Sequence, residues 1–167
     1  MDIAIVFDTK TLSGDFAMSG ADLLLDPGLK TAVIISLFTD RRAHDEDRLP
    51  SDPSPIAGSM LRDRRGWWGD FYAPEVLGQL TTGQKPVDRI GSRDWLLSRE
   101  KQLDAVVRRA KEYGEEALQW LIDDGVAASV EVFAEISAPG VLGRQITITR
   151  PGGTRESHRF DFAWTGL

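Results

Sequence analysis

Between residues 100 and 123 the chain repeats apolar side chains at steps of three and four: Leu103, Val106, Val107, Ala110, Tyr113, Ala117, Leu118 and Leu121. That spacing draws a single stripe along a helix, so it predicts one long amphipathic helix over 100–123. Asp104, Arg108 and Glu112 stand four apart on the wet side and support one another. Ser98, with Glu100 in the following turn, is a candidate N-cap, and Gly125 is the expected stop. A helix with one dry stripe must lie on one dry surface.

The last third of the chain predicts that surface. Val126, Ala128, Val130, Val132, Ala134 and Ile136 alternate with Ala127, Ser129, Glu131, Phe133 and Glu135. Ala138-Pro139-Gly140 makes a turn, Leu142, Ile146 and Ile148 form the next inward set, interrupted by Arg144, and Pro151-Gly152-Gly153 turns again. Phe160, Phe162 and Trp164 belong to a third strand. Strands joined by tight turns predict a C-terminal antiparallel meander with the long helix packed on it, an α+β architecture.

Ahead of these, residues 2–8 alternate and Asp15-Phe16-Ala17-Met18 follows a Ser13-Gly14 turn signal, which predicts an N-terminal β-hairpin. Asp26-Pro27-Gly28 announces a helix reaching Phe38, apolar nearly all round and therefore buried on most sides. Residues 39–91, rich in Pro and Gly, read as a long irregular segment inside a single domain spanning 1–167. Ser92 opens a short helix over 93–97. The composition, 41% hydrophobic and 28% charged, is that of an ordinary globular protein. No run of eighteen apolar residues predicts membrane insertion, and the acidic start does not resemble a signal peptide. The absence of cysteine excludes disulfides and thiolate metal sites and fits synthesis in a cytoplasm. A net charge of −6 argues against nucleic acid as the partner.

Within the irregular segment, Arg64-Arg65-Gly66-Trp67-Trp68-Gly69-Asp70 sets two tryptophans between glycines. Adjacent side chains diverge, so both rings cannot serve one narrow face, and the glycines allow sharp turns on either side. Two readings stay open: both rings fill the core under the loop, or one is buried and the other meets a partner, as Trp and Arg often do at interfaces. Arg41 and Arg42, just past the second element, face nearby acids in the same way.

Catalysis is the rival reading. Glycan hydrolysis needs two carboxylates, and Asp63, Asp70, Glu75 and Asp94 lie near tryptophans. Arginines beside Asp63 and Asp70 would hold them ionised, which makes poor general acids. His44-Asp45-Glu46-Asp47 lacks the spacing of a metal loop, His158 has no nucleophile motif and reads as surface, and no phosphate-binding glycine loop is present. No cofactor is implied.

Leu37-Phe38-Thr39-Asp40-Arg41-Arg42-Ala43, then Asp63 to Asp70, then Gly91-Ser92-Arg93-Asp94-Trp95-Leu96-Leu97-Ser98-Arg99-Glu100-Lys101, together resemble the Mu-like phage baseplate wedge family. The likeness continues through Glu115 to Leu121, Asp124-Gly125 and Arg159 to Trp164, with 51–60 departing as an insertion. The resemblance implies a virion structural protein of a contractile tail, remotely similar to type VI secretion wedge subunits. It would lie in the baseplate, where the sheath begins to polymerise. The implied partners are other wedge proteins, the sheath and the tube or hub, in a six-fold assembly. The candidate partner contacts are Arg41, Arg42, Arg64, Arg65, Trp67, Trp68, Asp70, Arg93, Trp95, Phe133, Phe160 and Phe162. The open edge of the last strand is a further candidate for pairing with a neighbour.

Overall fold

The computed structural model of the chain describes residues 2–8, 10–11, 13–50, 64–67, 90–98 and 104–163. Its elements follow in the order β1 (Asp2–Ile3), β2 (Ile5–Asp8), β3 (Ser13–Phe16), β4 (Met18–Ser19), β5 (Asp22–Leu23), β6 (Leu25–Asp26) and α1 (Lys30–Phe38). A short 3-10 turn (Asp94–Leu97), α2 (Asp104–Asp123), β7 (Ser129–Ala138), β8 (Val141–Thr149) and β9 (Arg155–Ala163) complete them. The α+β architecture is as the sequence predicts.

Helix α2 buries Val106, Ala110, Tyr113, Gly114, Ala117, Leu118 and Leu121, the stripe set by its spacing. Gly125, at φ +71°, takes the left-handed turn after the helix, a conformation open to glycine without penalty. Beneath α2 lies the antiparallel sheet β7-β8-β9, with Val132, Leu142, Ile146, Ile148 and Phe160 buried toward the helix. His158 stands within β9 opposite Ile146 and is half-buried, not on the surface before the strand. Period two carries it to the same inner face as Phe160.

The N-terminal hairpin is present as β2 and β3, paired from Ile5↔Phe16 to Asp8↔Ser13. Ser13 and Gly14 are therefore strand residues, and the turn falls earlier, around Lys10 and Thr11. Strand pairing continues beyond the hairpin, with β1 on β6 and β4 on β5. At the junction the Ala17 N–H donates to the Ala4 carbonyl, the Leu24 N–H to Ala17 and the Ala4 N–H to Leu24. Three short arms thus meet in a closed ring of backbone hydrogen bonds. None of the described N-terminal strands pairs with β9, so among the described residues both outer edges of the C-terminal sheet lack a partner strand.

Helix α1 begins at Lys30, three residues later than Pro27, with Leu29 as its N-cap residue. Asp26 still serves the helix start: its carboxylate accepts from the N–H groups of Gly28 and Thr31, both at 2.8 Å. The buried Thr31 ties α1 to the first arm. Its hydroxyl donates to the Ile3 carbonyl and accepts from the Ile5 N–H. Phe38 ends the helix as a hub, stacked on Phe7 at 3.9 Å and meeting Phe160 and Phe162 edge-on at 5.6 and 5.5 Å. Trp120 donates its indole N–H to Ser36 and joins α2 to α1.

Candidate partner-binding site

The irregular segment after α1 is held by crossings of its backbone. Asp40 and Ser92 form an isolated parallel bridge, with Arg41 N–H on the Ser92 carbonyl and Ser92 N–H on the Thr39 carbonyl. Gly91 makes this approach possible at φ +103°, since a Cβ there would lie 2.7 Å from the Thr39 oxygen and 2.8 Å from the Arg41 nitrogen. The Ala43 N–H donates to Arg64 and draws residues 64–67 alongside. Arg65 sits at φ +44°, an uncommon backbone conformation for a residue with a Cβ, followed by Gly66 at +127°.

These crossings bring together six of the candidate contacts. The Trp95 indole N–H donates to the Arg41 carbonyl at 2.8 Å, and the Arg65 guanidinium lies 4.9 Å from the Trp95 ring while pairing with Asp40 at 2.6 Å. Arg64 donates to the carbonyls of Ala43 and His44. Arg93 holds Asp47 with one terminal nitrogen and Glu116 of α2 with Nε, over the Tyr113 ring. Burial works against the Arg93 charge, but hydrogen bonds to Asp47 and Glu116 outweigh it and raise its pKa above the ordinary value. Arg41 reaches the same Glu116 at 3.8 Å, and Arg42 lies over Gly66. Arg41 and Arg93 fasten the segment to α2, while Arg64 and Arg65 tie it to itself.

The segment's deepest anchor is Arg144, the residue that interrupts the apolar alternation of β8. Arg144 is fully buried on β8, with NH1 and NH2 on the two Asp94 oxygens at 2.7 and 2.8 Å and NH2 also on the Ala110 carbonyl. Gly114 of α2 makes room: a Cβ there would lie 3.3 Å from Arg144 Nε and 3.1 Å from Val132. The signal was an arginine on the inward parity of β8 facing a glycine in the helix stripe. Asp47, Asp94 and Glu116 are the other site residues the sequence reading did not assign to these roles.

The remaining candidates divide. Phe133 projects from the outer face of β7 with 57% of its surface exposed, whereas Phe160 is buried at 4% within the core. Phe162 is half-buried against Phe38, near Arg144. Trp67 is half-buried; Trp68 and Asp70 lie outside the described residues, as do Asp63, Glu75 and the 51–60 insertion. A cleft of about 320 Å³ opens between Phe38, Arg65, Trp95, Leu142 and Phe162. The Asp40–Arg65 pair that lines it is more than 40% exposed on both sides, so water screens it.

Asp94, a carboxylate of the hydrolase reading, has both oxygens engaged by Arg144. Among the described residues no three potential ligands gather as a metal site, and no helix is long and apolar enough to cross a membrane.

Comparison with known proteins adds the family. A model described as Phage protein GP46 matches residues 29–155, from the residue before α1 into β9. The chain is 42% identical over 166 residues to the baseplate protein gp46 of Escherichia phage Mu, covering 99% of each. It is 38% identical over 152 residues to the Mu-like prophage FluMu protein gp46 of Haemophilus influenzae, covering 91% of this chain and 90% of the relative. No solved structure matches. The family match covers α1, α2, β7 and β8 and the anchors between them, and similarity to the Mu protein runs nearly end to end. The chain belongs to the GP46 family of phage baseplate proteins.

Proposed function

We propose that this chain is a non-enzymatic wedge subunit of a contractile tail, linking the tube and baseplate core to the first turn of sheath. The observation that carries the reading is similarity to the Mu baseplate protein along nearly the whole chain. The fold supplies a means. Both outer edges of the β7-β8-β9 sheet lack a partner strand among the described residues, and an open edge is a template for strand addition from a neighbour. Phe133 stands exposed on that sheet's outer face among polar residues, where an adjoining subunit would cover it. The Arg65–Trp95 cleft offers a second contact. Several copies around the tube, in six-fold array, would each present one such sheet. Asp94, held by Arg144, supports a scaffold and not a glycan hydrolase.

A density map of the assembled baseplate tests this reading. A strand of the sheath or of an adjoining wedge protein should lie along β9 or β7, with Phe133 covered. An edge capped within the chain, with the sheath touching only loops, would refute the linkage. Purified protein should release no reducing ends from peptidoglycan; release that disappears in Asp70→Asn or Glu75→Gln would overturn the non-enzymatic reading.

A further inference from the structure

The three-armed N-terminal sheet has two unlike faces. Cross-strand partners share a face, so the pairings Ile5↔Phe16, Ile3↔Leu25 and Met18↔Leu23 collect apolar side chains on one side. Alternation sends the carboxylates to the other: Asp2 pairs with Asp26, Asp15 with Val6, Asp22 with Ser19 and Asp8 with Ser13. The apolar face meets α1 at Ile5 and Phe7, then overhangs it. Phe16 and Met18 are each 59% exposed and Leu25 51%. Between β2, β3 and α1 runs a groove of about 260 Å³, floored at Gly14 and walled by Phe16, Ile34 and Phe38. That is below the roughly 300–1,000 Å³ of small-ligand pockets and suits one large side chain.

Phe16, Met18, Leu23, Leu25 and Ile3 together leave on the order of 500 Å² of apolar side chain open, taking roughly 200 Å² for each large side chain. A stable interface takes about 800 Å² per partner, so a second copy pairing through this face alone falls short. Charge points the same way. Residues 1–29 hold five Asp and one Lys, so two such sheets repel, whereas a basic chain is drawn in. The arms are two strands wide, roughly 10 Å, narrow enough for long side chains to reach around them.

We propose that this sheet docks a segment of a different protein, seating a large apolar side chain in the groove and wrapping its flanking lysines or arginines onto the aspartate face. The inference rests on the baseplate reading only for where the partner is sought. It concerns a surface separate from the C-terminal sheet.

The test places photoreactive benzoylphenylalanine in place of Met18 in the full chain, made in cells that assemble particles. Purified particles are illuminated and the cross-linked peptides mapped. The expected product joins position 18 to another particle protein at an apolar residue with Lys or Arg within a few positions. Reversing the rim with Asp15→Lys and Asp22→Lys, both exposed, should lower its yield by about fivefold while the melting temperature holds. Cross-links confined to this chain, including its 51–63 and 68–89 segments, or to a second copy, overturn the proposal. So does no cross-link, a partner segment without basic residues, or a yield indifferent to charge reversal. A second probe in place of Phe133 reads the sheath linkage separately. A cross-link there without one at 18 refutes this inference alone, and the converse refutes the linkage alone. If the chain is absent from particles, the baseplate reading fails, and illumination of whole cells decides the docking surface by the same criteria.

Discussion

Arg144 and Asp94 form a two-pronged ion pair, both carboxylate oxygens accepting from one guanidinium at 2.7 and 2.8 Å, with the arginine wholly out of water. The pair ties the 3-10 turn to the middle strand of the C-terminal sheet. Burying two charges is itself expensive, so the bond adds little beyond what a well-packed apolar pair would give. Breaking it from one side is different, because the other charge is left stranded. Arg144→Met should destabilise the chain by about 3–5 kcal/mol in urea unfolding. Adding Asp94→Leu should recover part of that loss. A double variant as unstable as the sum of the single changes would contradict the coupling.

Gly91→Ala should be among the most damaging small changes. It adds one methyl that would lie within 2.8 Å of backbone atoms of Thr39 and Arg41, which cannot swing aside as a side chain could. The backbone there also sits at φ +103°, where a Cβ is strained. Loss of about 3 kcal/mol or more is expected. Gly125→Ala, at φ +71° with open space around it, should lose only about 1–2 kcal/mol. Equal melting temperatures for the two variants would show that the crossing at Asp40 and Ser92 is not tight.

Trp95→Phe keeps a ring beneath Arg65 but removes the indole N–H that reaches the Arg41 carbonyl. The expected loss is about 1–3 kcal/mol, the penalty of leaving a part-buried acceptor unmet. Hydrogen exchange at the Arg41 and Ser92 amides should speed up, since those bonds flank the lost one. Unchanged exchange with unchanged stability would assign Trp95 no role in fastening the loop.

Acid should weaken the fold in a defined window. Burial raises the Asp26 carboxyl, but hydrogen bonds from the Thr31 and Gly28 N–H groups outweigh it and hold its pKa below the usual value. Hydrogen bonds from Arg159 lower Asp161 likewise. A lowered folded value means the unfolded chain takes up the proton first. The contribution is therefore complete above the unfolded value near about 3.9 and is lost as pH falls through the folded one. Melting temperature should hold from about pH 7 to 5 and drop below about pH 4, with a shallower drop in Asp26→Asn. An identical drop in that variant would remove Asp26 from the account.

What was legible in the sequence was whatever repeats. The α2 stripe from Val106 to Leu121 and the alternation of β7 are periodic signals, and both elements are present. But β7 starts at Ser129 and not at Val126: ahead of it Ala127 is buried and Ala128 exposed, the reverse of the parity the alternation predicts. The buried α1 was legible from its composition, but its first turn was not. Asp26 caps across four residues, a geometry that Pro27 alone does not specify. The extra arms were hidden because β4, β5 and β6 are two residues each, too short to alternate. Within the candidate site, Arg93 and Trp95 were recognisable as unusual residues in an irregular segment. Their targets Asp47 and Glu116 were not, because those contacts span 46 and 23 residues. Phe160 looked like an anchor for a partner, but its inward parity in β9 makes it an anchor for the core.

The ring formed by Ala4, Ala17 and Leu24 has a consequence for how the N-terminal arms come apart. An ordinary hairpin ribbon unzips from its open end, so its amides exchange at graded rates. A closed ring has no end: each of the three residues gives one hydrogen bond and takes one, and releasing any of them leaves two chains unsupported. The amide protons of Ala4, Ala17 and Leu24 should therefore exchange with one shared rate, and a ligand clamped on any arm should slow all three together.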